Sequence, residues 1–190
     1  MRRDGMEQAI HDFLKATELP ESEFMPDTAE RVAKAWEEEL LSGYSMKPSE
    51  MIGELIPASE DEKAMVIMKG IEFYSMCCHH LLPFRGTVAL GYVPGKGGIV
   101  GLGSLDTLVQ IFAKRLQTQE KLTREIVEAL DSVVDNKGIG IVIEADHACM
   151  QARGPNSSGK TVTSHFTGCF ENEKERNGFV NMIGMSESEK

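Results

Sequence analysis

Three things are scarce in this chain of 190 residues, and each scarcity excludes something. Long apolar runs are missing. None approaches the ~18 residues needed to cross a bilayer, so no membrane partner is expected. The N-terminal stretch MRRDGMEQAI carries arginines with no apolar segment behind them. It does not read as a secretory signal, and a cytoplasmic location is expected. Positive charge is also short: Lys and Arg number 20 against 30 Asp and Glu, a net charge of −10. Nucleic-acid binding runs on an excess of Lys and Arg, so no nucleic-acid partner is expected. An anionic substrate would need a local basic pocket set against a repulsive overall field. Cysteine is sparse, with Cys77, Cys78, Cys149 and Cys169 only. A chain of this length can bury a core without disulfide staples. Two of the four cysteines are adjacent, and a reducing compartment predicts free thiols or a metal site.

What is present is an ordinary globular balance, 41% hydrophobic and 26% charged, of a length suited to one functional domain. No internal repeat is visible. MEQAIHDFLKAT places Ile10, Phe13 and Leu14 at helical spacing, and a short amphipathic helix is predicted. After Pro20 and Pro26, Asp27 or Thr28 suits the N-cap of a helix running to about Leu41, with Gly43 beyond it. MVIMKGIEFYSM and FRGTVALGYV read as two strands, the first bulged near Gly70 and the two joined by a wide turn. Leu105, Leu108, Val109, Phe112 and Leu116 mark one helix, and Leu122, Ile126, Val127 and Leu130 a second. GIGIVIEADHAC (138–149) reads as a buried strand and TVTSHFTGCF (161–170) as its partner. Helices first, then two strand pairs flanking two helices, predict an α+β fold with an antiparallel sheet. The expected division is an N-terminal helical region (1–63), a catalytic core (64–183) and a polar tail (184–190).

Chemistry concentrates in two places. CCHH at 77–80 offers four metal ligands in four residues, and Cys77 with His80 forms a C-x2-H pair that one turn could aim at one ion. His147 and Cys149 lie two apart on a predicted strand, which would put them on the same face. Thiolate and imidazole together suit Zn²⁺. Three protein ligands plus water would make a catalytic site, and four a closed structural one. A buried cysteine pair with core histidines would give the same spacing.

At these residues a family resemblance emerges. SMCCHHLLPFRGTVALGYVPG resembles the zinc-binding strand–turn–strand of GTP cyclohydrolase I, where Cys-Glu-His-His is usual. EADHACMQARG is similar to that family's second metal segment, RLQTQEKLTREI to its guanine-binding segment, and DTAERVAKAWEEELLSG to its N-terminal helix. KTVTSHFTGCF matches its closing strand. The resemblance implies a T-fold, with an antiparallel sheet, a helix pair on one face and N-terminal helices. It implies Cys77, His80 and Cys149 as ligands of Zn²⁺ and His79 and His147 as acid/base groups. Gln119 and Glu120 would hold the guanine edge, and Arg153 and Arg31 would contact the triphosphate, with Lys160 a further phosphate contact. The implied reaction opens the imidazole ring of GTP at C8, releases that carbon as formate and closes 7,8-dihydroneopterin triphosphate. The implied assembly is a toroidal homo-oligomer, a decamer, with sites at subunit boundaries.

Bland readings stand beside these. Glu120 suits a helix start, and Arg31 a solvated ion pair. His165 reads as structural, His11 as surface, Cys169 as core, and Cys78 as packing that faces away from Cys77. Gly154-Pro-Asn-Ser-Ser-Gly159-Lys160-Thr161 satisfies G-x4-G-K-[ST], yet a P-loop should open a helix and a strand follows here. One segment departs from the family. VGLGSLDTL has Gly103, Ser104 and Thr107 where the family carries Ser, Lys and Arg, and Asp106 adds negative charge. At ~1.5–3 kcal/mol per charged hydrogen bond, losing two weakens triphosphate binding by roughly two to four decades. An alternative is therefore a paralogue acting on a less phosphorylated purine, such as a nucleoside or base, or an inactive zinc- or pterin-binding homologue.

Overall fold

A computed structural model describes residues 2–59 and 64–184. Of the polar tail, residues 185–190 lie outside the described residues. Helices α1 (Arg3–Ala16) and α2 (Thr28–Ala35) pack together at the N-terminus, and a wider π-turn, Trp36–Leu40, continues α2. Asp27 occupies the expected N-cap position, but its side chain makes no capping hydrogen bond. Asp27 reaches instead to Arg31, and the Thr28 hydroxyl accepts from the Met25 amide. A one-turn helix, α3 (Pro48–Met51), follows.

The sheet follows. β1 (Val66–Cys77) and β2 (Pro83–Pro94) form a hairpin, then come α4 (Leu102–Ala113), the two-residue β3 (Leu116–Gln117) and α5 (Gln119–Val133). β4 (Asn136–His147), a single helical turn α6 (Ala148–Gln151), β5 (Thr161–Phe166) and α7 (Glu173–Ile183) complete the chain. The strand order is β3-β1-β2-β4-β5. All long pairings are antiparallel, and only β3 runs parallel to β1. The expected strand pairs are both present, and β2–β4 pairing joins them into one sheet. The expected bulge lies between Met68 and Ile71, where Gly70 takes φ +77°.

Strand alternation decides what each face does. Ile71, Phe73, Val88, Leu90, Ile141 and Ile143 point to one side and bury against Leu105, Leu108, Leu122 and Ile126 of α4 and α5. Each such side chain contributes ~1.5–3 kcal/mol on burial. On the other side Val142, Phe170 and Phe179 form a smaller cluster under α7. That helix was not legible in the sequence, because only Phe179, Val180 and Ile183 carry its apolar stripe.

Three boundaries differ from expectation. The helix carrying Leu105 ends at Ala113, so Leu116 belongs to β3. β4 stops at His147 because the backbone turns helical at Ala148, so Cys149 is not on a strand. β5 stops at Phe166, since Gly168 adopts φ +56° and packs against the Lys137 carbonyl too closely for a Cβ. Residues 152–160 form an exposed loop into β5, with no helix after the Gly159-Lys160-Thr161 sequence.

Candidate metal centre and active site

One end of the sheet gathers the chemistry-bearing residues. β1 ends at Cys77, and residues 78–82 turn the chain back into β2. Inside that turn the Leu81 amide donates to the Cys77 carbonyl and the Cys77 amide to the Leu82 carbonyl. Leu81 takes φ +54°. β3 pairs with β1 at Met76 and Cys77, which delivers the start of α5 beside the turn. β4 ends opposite: His147 faces Phe84 across the sheet, and α6 then swings Cys149 round.

The ligand atoms of Cys77, His80 and Cys149 all lie within 4.8 Å of one another. Cys77 is buried, Cys149 half-buried and His80 exposed. Tetrahedral zinc bonds of ~2.0–2.3 Å put ligand atoms roughly 3.3–3.8 Å apart, so a closure of about 1 Å brings this donor set onto that ion. The Arg153 Nη1 lies 2.8 Å from His80 Nε2. A guanidinium only donates, so Nε2 carries a lone pair that accepts here, and Arg153 must give up this contact before that nitrogen can ligate. Burial pushes the Cys149 thiol up, and the neighbouring Cys77 sulfur acts in the same direction. A bound cation reverses such a shift by favouring the thiolate. The route to convergence differs from the expected one: Cys149 arrives by a helical turn, not by strand alternation with His147.

His147 ends β4, two residues before Cys149. Its ring lies parallel to Phe84, 3° between planes and 4.7 Å between centroids. Its Nε2 sits 2.8 Å from Gln119 Oε1. Burial lowers its affinity for protons, while Glu120 and Asp146 pull the other way. His79 Nδ1 stands 3.8 Å from the Cys77 sulfur. Glu120 is exposed at the first turn of α5 and lines a small cavity with Thr123, Arg124, Thr163 and His165.

The other expected residues are engaged within the chain. Gln119 is 2% exposed, and its amide turns inward to the Ile143 and Thr161 carbonyls. Arg31 pairs with Asp27 on the surface of α2. Lys160 pairs with Glu144 at 2.6 Å, and Glu144 points to the sheet face opposite Ile143. The structure therefore does not bring Arg31 or Lys160 to the cluster within one chain. Cys78 is exposed and packs against no core, because its backbone is held by the Gln117 carbonyl while the side chain points outward from the turn. Phe84 was missed in the sequence, since its place opposite His147 follows only from β2–β4 pairing.

Comparison with known proteins gives one consistent family. A family model described as GTP cyclohydrolase I matches residues 6–184. The GTP cyclohydrolase 1 of Campylobacter concisus is 40% identical over 184 residues, covering 95% of each chain. That of Streptococcus agalactiae is 40% identical, covering 95% of this chain and 97% of the relative. Among solved structures, the archaeosine synthase QueF-Like in its apo form has a TM-score of 0.42 at 15% identity, covering 53% of this chain and 91% of that one.

Proposed function

Since this chain belongs to the GTP cyclohydrolase I family and carries its α+β T-fold, we propose that it opens the guanine imidazole ring of GTP at C8, releases that carbon as formate, and closes 7,8-dihydroneopterin triphosphate. The observation that carries this reading is the convergence of Cys77, His80 and Cys149 from two distant segments.

In this reading Cys77, His80 and Cys149 hold Zn²⁺, which supplies a water activated near neutral pH. The chain's own groups do the rest. Breaking the C8–N bond leaves a purine nitrogen that must gain a proton, and an imidazole with ordinary pKa near ~6.5 is suited to deliver it. His147 and His79 take that role. The Glu120 carboxylate accepts two N–H bonds from the guanine edge. Adenine offers no matching pair, and a polar group left unpaired is costly, so the same contact excludes it. Arg153, already beside His80, provides local positive charge for the phosphates against the chain's net −10.

The sheet supports an assembly as well. Among the described residues, β1 is flanked on its outer side by β3 at Met76 and Cys77 alone, and β5 is a terminal strand. Unpaired edges of this kind invite pairing with another copy. We place the enzyme in the cytoplasm as a homo-oligomer, a decamer, with Arg31 and Lys160 available to sites on neighbouring copies.

One observation favours a second substrate. At the start of α4 the Ser104 hydroxyl donates to the Ile52 carbonyl and the Thr107 hydroxyl to Gly103. Neither is left to meet a phosphate, and Asp106 stands between them. A less phosphorylated purine fits that segment better. Zinc-loaded protein is to be incubated with GTP, guanosine and guanine, with formate and pterin fluorescence both followed. Formate with a fluorescent pterin from GTP supports the first reading. Formate from guanosine or guanine but not GTP selects the second. No formate from any purine, with zinc bound, removes both.

A further inference from the structure

The amide of Gln119 has no hydrogen-bonding capacity to spare on its nitrogen. Nε2 lies 3.0 Å from the Ile143 carbonyl and 3.0 Å from the Thr161 carbonyl. Both partners are pure acceptors, so the nitrogen must face them and both of its hydrogens are used. The orientation of the amide is thereby fixed, and Oε1 is the atom directed at His147 Nε2, 2.8 Å away. A carboxamide oxygen only accepts, so His147 must donate, and in the neutral ring its proton resides on Nε2 with the lone pair on Nδ1. The parallel Phe84 ring, centroids 4.7 Å apart, holds the imidazole plane at the same time. With 2% exposure, Gln119 presents almost nothing to a ligand.

We infer that Gln119 is a positioning residue, not a substrate contact: it sets which nitrogen of His147 exchanges the proton in the reaction. This rests on the reading of His147 as an acid/base group. The guanine edge is then left to Glu120.

The test uses zinc-loaded protein labelled with [15N]histidine, at a pH above the imidazole titration range. His147 is assigned by its loss in His147→Asn. The wild-type ring should show Nε2 protonated and Nδ1 bare, a measurement that needs no Gln119 variant to fold. Gln119→Met should shift that pattern toward a tautomer mixture. Its kcat for formate release should fall about 10–100-fold, the usual cost of losing a partner that orients a reactive histidine, with KM within about twofold and zinc stoichiometry unchanged. Gln119→Glu, which keeps an oxygen acceptor for the imidazole, should recover part of the loss. A wild-type ring protonated on Nδ1 overturns the inference. So does a Gln119→Met enzyme with a raised KM and an intact kcat, which would make Gln119 a substrate contact. Full turnover in His147→Asn removes the acid/base reading itself. Turnover lost there but kept in Gln119→Met removes only the role of Gln119.

Discussion

Cys149 reaches Cys77 and His80 only because the backbone abandons the strand at Ala148, so the metal centre depends on one helical turn as much as on its donors. Cys149→Ala removes one of three ligands, and zinc should fall from one per chain to near none by elemental analysis. Stoichiometric metal retained in that variant would remove Cys149 from the set. His79→Ala should keep its zinc and lose formate release by about 10²–10⁴-fold, the usual worth of a general acid or base. Unchanged turnover would exclude that role. The four thiols are also distinguishable. Cys78 is exposed, while burial raises the Cys169 thiol, with Glu175 adding in the same direction. Thiolate is the reactive form, so iodoacetamide followed by mass spectrometry should label Cys78 well before Cys169, and the reverse order would contradict the packing described. At this scale the sequence was informative about which residues carry the chemistry, since Cys and His cluster at 77–80 and 147–149. It named Gln119 only through the family resemblance, as a guanine contact, and did not reveal its partners, the carbonyls of Ile143 and Thr161, 24 and 42 residues away. No local pattern encodes a side chain's reach to a distant backbone.

At the scale of elements, periodicity revealed α4, α5 and the long strands because their apolar faces are wide. It failed for α7, where Gly178 and two asparagines dilute the stripe. What holds α7 is the fit of Phe179 over the sheet. A Cβ on Gly91 would come 2.9 Å from that ring, so this glycine leaves the space it fills. Phe166 and Phe170 meet it edge-on at 5.8 Å and 5.7 Å. Phe179→Ala should cost about 3–5 kcal/mol, seen as a lower denaturant midpoint, with zinc binding unaffected because Cys77, His80 and Cys149 lie at the far end of the sheet. A loss under 1 kcal/mol, on the order of a surface change, would mean that α7 is not anchored through Phe179. Strand ends were misjudged for a related reason. A run of β-forming residues does not reveal that Ala148 begins a helical turn or that Gly168 bends the chain at φ +56°.

For the whole molecule, the shortage of positive charge read from composition stands beside a site with one guanidinium at its metal cluster, Arg153. Among the described residues the sheet has two open edges, and if the chain assembles as the proposed decamer, sedimentation should find particles near ten times the 21.0 kDa chain. A stable monomer would leave Arg31 and Lys160 without the sites assigned to them. All of this depends on a zinc ion held by two sulfurs and one imidazole with a place left for water. Zinc X-ray absorption fine structure on the loaded, substrate-free enzyme tests that directly. The account predicts two sulfur neighbours at ~2.3 Å and two nitrogen or oxygen neighbours at ~2.0 Å, only one of them an imidazole. A third sulfur, or a second imidazole closing the fourth position, would contradict it.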